Sequence, residues 1–292
     1  MPLGQRSLQV TISLPSGDVV LDEQLDLRIR VHKDALAIQN NCTIDVFNLS
    51  QTLRTSLMSQ FTAWNKRNVE AGSPGYQASY INAKVVAGYI NGGQTSTTTV
   101  FTGQIVLVEP VSSPPNIGLR ITCYSQQLSK IQFVSGLAPT QTTFKAYVQW
   151  VADQMGLQLV CETSYDNAIV NNPSGSTHIV YNLLIDIQNA YRPNVAAFVD
   201  NNILYVKDIN KVVSTAQIVP VTEFIGNPPL WTEWGMEFTA LFDPKIQLAG
   251  ATAPKSAMNP RIDQTFVTSS LEYDLNSREV PFYVKVTGSP SA

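Results

Sequence analysis

The chain has 292 residues, 44% hydrophobic and only 14% charged, with a formal net charge of −3. That length accommodates two or three small domains with real cores, while the weak negative charge excludes a general nucleic-acid binder, which carries basic stripes. Charge this sparse, against about 25% in an average soluble domain, suits a rigid assembly component better than a freely soluble enzyme.

Strands come first. Leu8, Val10, Ile12 and Leu14 alternate with polar residues, the period of two of a half-buried strand. Pro15 to Asp18 is a turn, and Val19 to Leu21 and Leu25 to Val31 are further strands. Cys42 to Phe47 alternates again and runs into Asn48-Leu49-Ser50. Ser50 is an N-cap, its hydroxyl free to accept a backbone N–H in the next turn. Leu53, Leu57, Phe61 and Trp64 then recur at helical spacing, with Met58 beside them, predicting one helix that fails by Gly72-Ser73-Pro74-Gly75. Ile81 to Ile90, Thr97 to Val108 and Asn116 to Tyr124 return to strand. Residues 1–126 therefore read as six or seven strands plus one helix, a small barrel or sandwich.

Residues 127–220 have a different pattern. Thr142-Thr143-Phe144 opens a helix with Phe144, Tyr147, Val148, Val151 and Met155 on one face, stopped at Gly156. Leu157 to Cys161 is a short strand, and Asn171 to Gly175 a loop. Ile179 to Tyr191 is a second helix, with Val180, Leu183, Leu184, Ile187 and Tyr191 as its core face. Ala196 to Lys207 is a hairpin turning at Asp200-Asn201-Asn202, where Asn tolerates positive φ. From 221 to 292 the chain is β again: Trp234 to Phe242, Ile246 to Gly250, Thr265 to Tyr273 and Pro281 to Thr287. The predicted fold class is α+β and mainly β: two small β-barrel or sandwich domains, 1–126 and 221–292, separated by a compact α/β domain at 127–220. No internal sequence repeat links the two β regions, so any similarity between them is architectural.

Candidate chemistry is thin. Cys42, Cys123 and Cys161 are far apart, form no metal-binding spacing, and are expected to be buried and reduced. His32 and His178 sit in no nucleophile elbow. The closest carboxylate pairs are Asp22 with Glu23, Glu162 with Asp166, and Glu233 with Glu237. The last lies in Trp231-Thr232-Glu233-Trp234, where tryptophans suggest a sugar platform; the expectation here is instead that they pack under the last β unit or at a subunit contact. No phosphate loop or calcium loop is present. The expectation is no catalytic, metal or cofactor site. Residues 1–6 lack a signal-peptide pattern, and no apolar run approaches 18 residues, so no membrane insertion is expected.

One ordered set of motifs is more specific. Ile44-x-Val46-x-Asn48-Leu49-Ser50 is followed by Thr52-x-Arg54-x-x-Leu57, then Val85-Val86-Ala87-Gly88-Tyr89, then Phe101-Thr102-Gly103-Gln104-Ile105. Together these resemble the N-terminal domain of baseplate hub proteins of contractile-tailed phages. Ile225-Gly226-x-Pro228, Leu241-Phe242-x-Pro244 and Tyr283-x-x-x-Val286-x-Gly288 are similar to the last domain of that family. The resemblance implies a non-enzymatic homotrimeric ring at the distal end of the tail tube. Two tube-like β-barrels per chain would give six units, adapting a six-fold tube to a three-fold spike. It also implies the partners: other copies of the chain, the central spike, the tail tube or its initiator, other baseplate proteins, and DNA only as transient cargo through the lumen. The implied location is the virion baseplate after assembly in the host cytoplasm. The alternatives are a cell-wall-degrading or glycan-binding tail component and a plain tube protein; the middle α/β unit argues against the latter.

Overall fold

The computed structural model describes residues 4–76, 79–111, 117–136, 138–175 and 177–291. Met1–Leu3, part of the signal-peptide reading, and Asn116, the expected start of a strand, lie outside them. The first region contains β1 (Gln5–Leu14), β2 (Gly17–Leu21), β3 (Leu27–Asp34) and β4 (Asn41–Phe47). Helices α1 (Gln51–Gln60) and α2 (Ala63–Glu70) follow, then β5 (Asn82–Asn91), β6 (Gln94–Pro110) and β7 (Gly118–Tyr124). Ser50 caps α1 as expected, accepting from the Leu53 N–H. The single expected helix is two, however. Phe61 turns inward, is buried, and closes α1 with its N–H on the Leu57 carbonyl. The Thr62 hydroxyl then accepts from the Asn65 N–H at 3.0 Å and starts α2 on a new axis. Trp64 is thereby carried off the core face; it is exposed, and its Nε1 donates to the Tyr76 hydroxyl at 2.8 Å.

The middle region contains β8 (Gln141–Thr143), α3 (Phe144–Met155), β9 (Gln158–Glu162), β10 (Ile169–Asn171), α4 (Val180–Ala190), β11 (Val195–Asp200) and β12 (Ile203–Asp208). Thr143 caps α3, and Gly156 ends it at φ 64°, a left-handed conformation that glycine adopts without a Cβ clash. β12 pairs antiparallel with β11 and parallel with β9. The turn between β11 and β12 places Asn201 and Asn202 at φ 47° and 65°, the two positive values that a tight hairpin needs. The short antiparallel pair β8–β10 was not expected from the sequence.

The last region contains β13 (Ile218–Val221), β14 (Leu230–Thr232), β15 (Gly235–Leu241), β16 (Ala251–Pro254), β17 (Phe266–Asn276) and β18 (Phe282–Pro290). The strand expected to start at Trp234 starts one residue later. Trp234 sits in the β14–β15 turn, its N–H donating to the Thr232 hydroxyl, and Gly235 takes φ 122°. β13 pairs with β16.

Hydrogen bonding joins the two β regions into one continuous sheet. Among the described residues, one thirteen-stranded sheet runs β14-β15-β18-β17-β3-β4-β7-β6-β5-β1-β2, with β16 and β13 attached beside β17. The seam is β17 on β3, Tyr273 opposite Val31 and Glu272 opposite His32. The protein is thus mainly β, with several sheets and few helices. One apolar core runs beneath both β regions, and a second lies between α3, α4 and the three-stranded sheet. The buried strand β11 serves both, with Phe198 and Ala196 facing the first and Val195, Ala197 and Val199 the second.

The two β regions are copies of one arrangement. β3-β4-β7-β6 and β14-β15-β18-β17 follow the same spatial order, and β5 and β16 each flank the same end of the long strand. The registers superpose residue by residue. Ile44 opposite Ile121 corresponds to Phe238 opposite Val286, and Val46 opposite Leu119 to Ala240 opposite Val284. Even the β-bulge repeats: β6 slips between Ile105 and Leu107 against β7, as β17 slips between Thr268 and Ser270 against β18. Just before it, the Ile105 N–H donates to the Ile81 carbonyl at 2.9 Å, and the Thr268 N–H to the Gly250 carbonyl at 3.0 Å.

Candidate assembly surface

The residues that sequence reasoning singled out for chemistry are spread across the molecule. All three cysteines are free and buried. Burial raises the Cys42 and Cys123 thiols, and burial together with the Asp166 charge pushes Cys161 up to about 12, which keeps thiols protonated and unreactive. His32 Nδ1 lies 4.0 Å from Glu272 across the seam. His178 is exposed in the loop before α4, and its carbonyl accepts the Val134 N–H at 2.9 Å. Glu162 accepts from both the N–H and hydroxyl of Ser214, Asp166 holds the Thr163–Tyr165 turn and Lys145, and Asp22 accepts from the Gln24 N–H. Glu237 is ion-paired with Lys285 at 3.1 Å. Among the described residues no group of three or more His, Cys, Asp or Glu can hold a metal ion, and no helix is long and apolar enough to cross a membrane.

Of the two placements expected for Trp231 and Trp234, packing under the last β unit is not met at Trp234 and only in part at Trp231. Trp231 rests edge-on against Phe266 with centroids 5.3 Å apart, yet both indoles are largely exposed, as are Leu230 and Met258 nearby. The Asn259 amide donates to the Pro229 carbonyl at 3.3 Å and ties the Met258 loop to this hairpin.

The sheet itself is the most extended organised surface. Alternation along each strand puts one face into the core and the other outside. The outer face carries charges of both signs in register. Arg120 donates two hydrogen bonds to Asp45, at 2.7 and 2.8 Å, and Lys285 pairs with Glu237. Glu109 lies opposite Arg120 and Glu272 opposite Lys285, so an acid–base cross-strand pair recurs in both copies. At the seam this face is concave: a depression of about 400 Å³ is bordered by Arg30, His32, Thr43, Asp274, Tyr283 and Lys285.

Behind the seam the middle unit is bolted on. Lys33, on the core face of β3, donates to Asp200 at the β11–β12 turn at 2.6 Å, both side chains almost wholly buried. The Asn40 amide donates to the Val199 carbonyl at 3.0 Å, and the Asn201 amide to the Thr99 carbonyl at 2.8 Å. One hairpin tip thus touches β3, the loop after it, and β6. These tertiary partners carry no local sequence signal; the hairpin turn itself does.

The same architecture occurs in known tail proteins. The tail protein from Neisseria meningitidis MC58 matches 96% of this chain over 96% of its own, with a TM-score of 0.60 and 10% identity. The 43 kDa tail protein of prophage MuSo2 from Shewanella oneidensis matches 97% over 98%, with a TM-score of 0.58 and 9% identity. The E. coli c3393 protein, a component of the type VI secretion system, matches 91% over 74%, with a TM-score of 0.55 and 8% identity. At these identities the likeness is one of fold. No curated protein sequence matches the chain. The sequence model of the family described as baseplate hub gp41 matches residues 7–288, nearly the whole chain, and the chain belongs to that family of contractile-tailed phage baseplate proteins.

Proposed function

We propose that three copies of this chain form a ring at the end of the tail tube, each contributing two tube-like wall units. The protein is a structural baseplate component of the phage tail, not an enzyme. The observation that carries the ring reading is the seam. β3 on β17 fuses two copies of one strand arrangement into a single wall, as side-by-side subunits of a tube would be joined. Three such chains give six wall units around a three-fold axis, a geometry that accepts a six-fold tube on one side and a three-fold spike on the other. In this reading residues 1–126 and 221–292 are the wall units, each curling toward a small barrel within the ring. Residues 127–220 are a buttress on the outside.

The concave polar face then lines the lumen. Its charges alternate in sign across strands, so a passing DNA phosphate backbone meets no uninterrupted basic stripe. Each Lys or Arg contact with phosphate adds sequence-independent affinity, and a face with Asp45 on Arg120 and Glu237 on Lys285 offers few free cations. The ring would hold the spike beneath it and open a path for DNA once the spike leaves. The partners are therefore other copies, the spike, the tube or its initiator, and neighbouring baseplate proteins in the virion. Native mass measurement of the purified chain tests this reading. A mass of three copies supports it, and a closed ring of six copies would make the chain a tube protein instead.

A further inference from the structure

The three-stranded sheet of the middle unit has two edges, β11 and β9, and they are finished differently. The Ile209 N–H donates to the Asn194 carbonyl at 2.9 Å, which sets the phase of the β11–β12 ladder. Ala196, Phe198 and Asp200 therefore bond to β12, while Val195, Ala197 and Val199 turn their main-chain groups to the open side. The chain closes that side itself. The Val195 N–H donates to the Tyr191 carbonyl at 3.2 Å, the Gln188 amide to the Ala197 carbonyl at 2.6 Å, and the Asn40 amide to the Val199 carbonyl at 3.0 Å. Every residue of β11 is buried, and an edge covered in this way resists strand addition.

β9 is the opposite case. The Gln158 N–H donates to the Asn202 carbonyl at 3.2 Å, so in this parallel pair Gln158, Val160 and Glu162 bond to β12 while Leu159 and Cys161 face away. The outward row is closed at both ends. The Leu157 N–H donates to the Ala152 carbonyl at 2.9 Å, and the Thr163 N–H to the Asp166 carboxylate at 3.0 Å. Between these ends, among the described residues, the main-chain groups of Leu159 and Cys161 have no hydrogen-bond partner. The strand is nevertheless held on both faces. Leu159 and Cys161 pack into the second core and Val160 against the first, so the open row is fixed in place.

Resting on the ring reading above, we infer that a second baseplate protein attaches here, through an extended segment of its chain that adds beside β9 as a fourth strand. Leu159 and Cys161 each offer a donor and an acceptor on one side, a set that extended main chain complements directly. Another copy of β9 does not fit that role. β9 on β9 is an isologous contact with two-fold symmetry, which pairs chains and does not close a ring of three. The middle unit lies outside the wall in the ring reading, so its edge stays reachable after the ring has closed. The caps at Leu157 and Thr163 limit the added strand to the length of β9.

Hydrogen exchange of the full chain, read in peptides covering β9 and β11, tests this by comparing the isolated ring with assembled tails. The Leu159 and Cys161 amides are expected to exchange at least about tenfold more slowly in tails, with β11 unchanged. Equal exchange of β9 in the two states overturns strand addition. Slow exchange at Leu159 and Cys161 already in the isolated ring would make another copy the occupant and overturns the second protein. A three-copy native mass with equal exchange overturns the edge alone; a monomeric or six-copy mass overturns the ring reading whatever β9 does. Separately, Leu159→Pro removes one outward N–H at an edge, where proline is tolerated. It is expected to keep the three-copy mass and to lower incorporation into tails about tenfold. Undiminished incorporation overturns the proposal, and if the proline unfolds the middle unit the exchange comparison decides.

Discussion

The N-terminal and C-terminal β regions fold the same five strands into the same order and register, yet share little sequence. Cys42, Ile44 and Val46 on β4 stand where Met236, Phe238 and Ala240 stand on β15. What persists is alternation, not identity: the residues facing the core are apolar in both, and an acid–base pair faces out in both. The differences sit in the connections. Between β4 and β5 the N-terminal copy inserts the α1–α2 corner; between β15 and β16 the C-terminal copy has a shorter helix-free link, 242–250, with Ile246 and Leu248 buried. The N-terminal copy's strand β3 is covered by β17 of its sister, whereas β14 is exposed. The duplicated walls thus have different edges: β3 is paired within the chain, whereas β14 keeps an exposed flank.

Substitutions at matched positions separate the two copies. The largest contrast is between Lys33, buried against Asp200 at the end of β3, and Glu233, exposed in the β14–β15 turn where the C-terminal copy ends its matched register. Lys33→Met strands a buried carboxylate and is expected to cost about 3–5 kcal/mol in urea unfolding. Adding Asp200→Leu should recover much of that loss, whereas Glu233→Met should stay within about 0.5 kcal/mol. An equal effect at both positions would mean that the middle unit is not held through Lys33.

Next comes the corner that only the N-terminal copy has. Leu57 is fully buried beneath α1, and Leu57→Ala should cost about 2–5 kcal/mol through the cavity it leaves. Hydrogen exchange should then speed in β5 and β6 and remain unchanged in β15 and β18. Uniform acceleration would show that the two copies unfold as one cooperative block.

Alkaline pH offers a smaller and graded contrast. Burial raises the Cys42 and Cys123 thiols above their unfolded value. Above pH 9 the unfolded chain therefore gives up these protons while the folded chain keeps them. The unfolded state then binds fewer protons, and stability falls as pH rises. Two such groups steepen the fall by up to about 2.7 kcal/mol per pH unit. The matched positions Met236 and Gly288 do not titrate, so Cys42→Ala with Cys123→Ala should flatten the slope of stability against pH between 9 and 11. An unchanged slope would place the alkaline sensitivity elsewhere.

The smallest effect is expected on the polar face. Arg120 is well exposed despite its two hydrogen bonds to Asp45, and solvent screening limits such pairs to about 0–1 kcal/mol. Arg120→Gln and Lys285→Gln should therefore be similar and near neutral in thermal melts. A loss of several kcal/mol at either would identify it as a structural clamp rather than part of a lining.

Much of the fold was legible because it is written locally. The alternation of Cys42 to Phe47, the Ser50 cap, Gly156 after α3 and the Asn201-Asn202 turn each act within a few residues. The break at Phe61 was hidden because Phe61 and Trp64 continue the apolar spacing of α1, and only the packing of Phe61 reveals that Thr62 begins a new helix. The pairs β8–β10 and β13–β16 were missed for another reason: strands of three or four residues lack a readable period, and their partners are distant in sequence. The duplication was invisible because registers and bulges are relations between strands. Sequence left Trp231 and Trp234 either under the last β unit or at a subunit contact, because an indole looks the same in sequence whether it meets its own core or a neighbour; the exposure of Trp234 removes the first for that residue.

The central claim is that each chain supplies two equivalent segments of one closed wall. Cryo-electron microscopy of the assembled ring tests it most directly. The account predicts three copies around the axis, with an inner wall of six like units, two from each chain. A ring of six identical chains, or a particle in which the C-terminal β region lies away from the lumen, would contradict it.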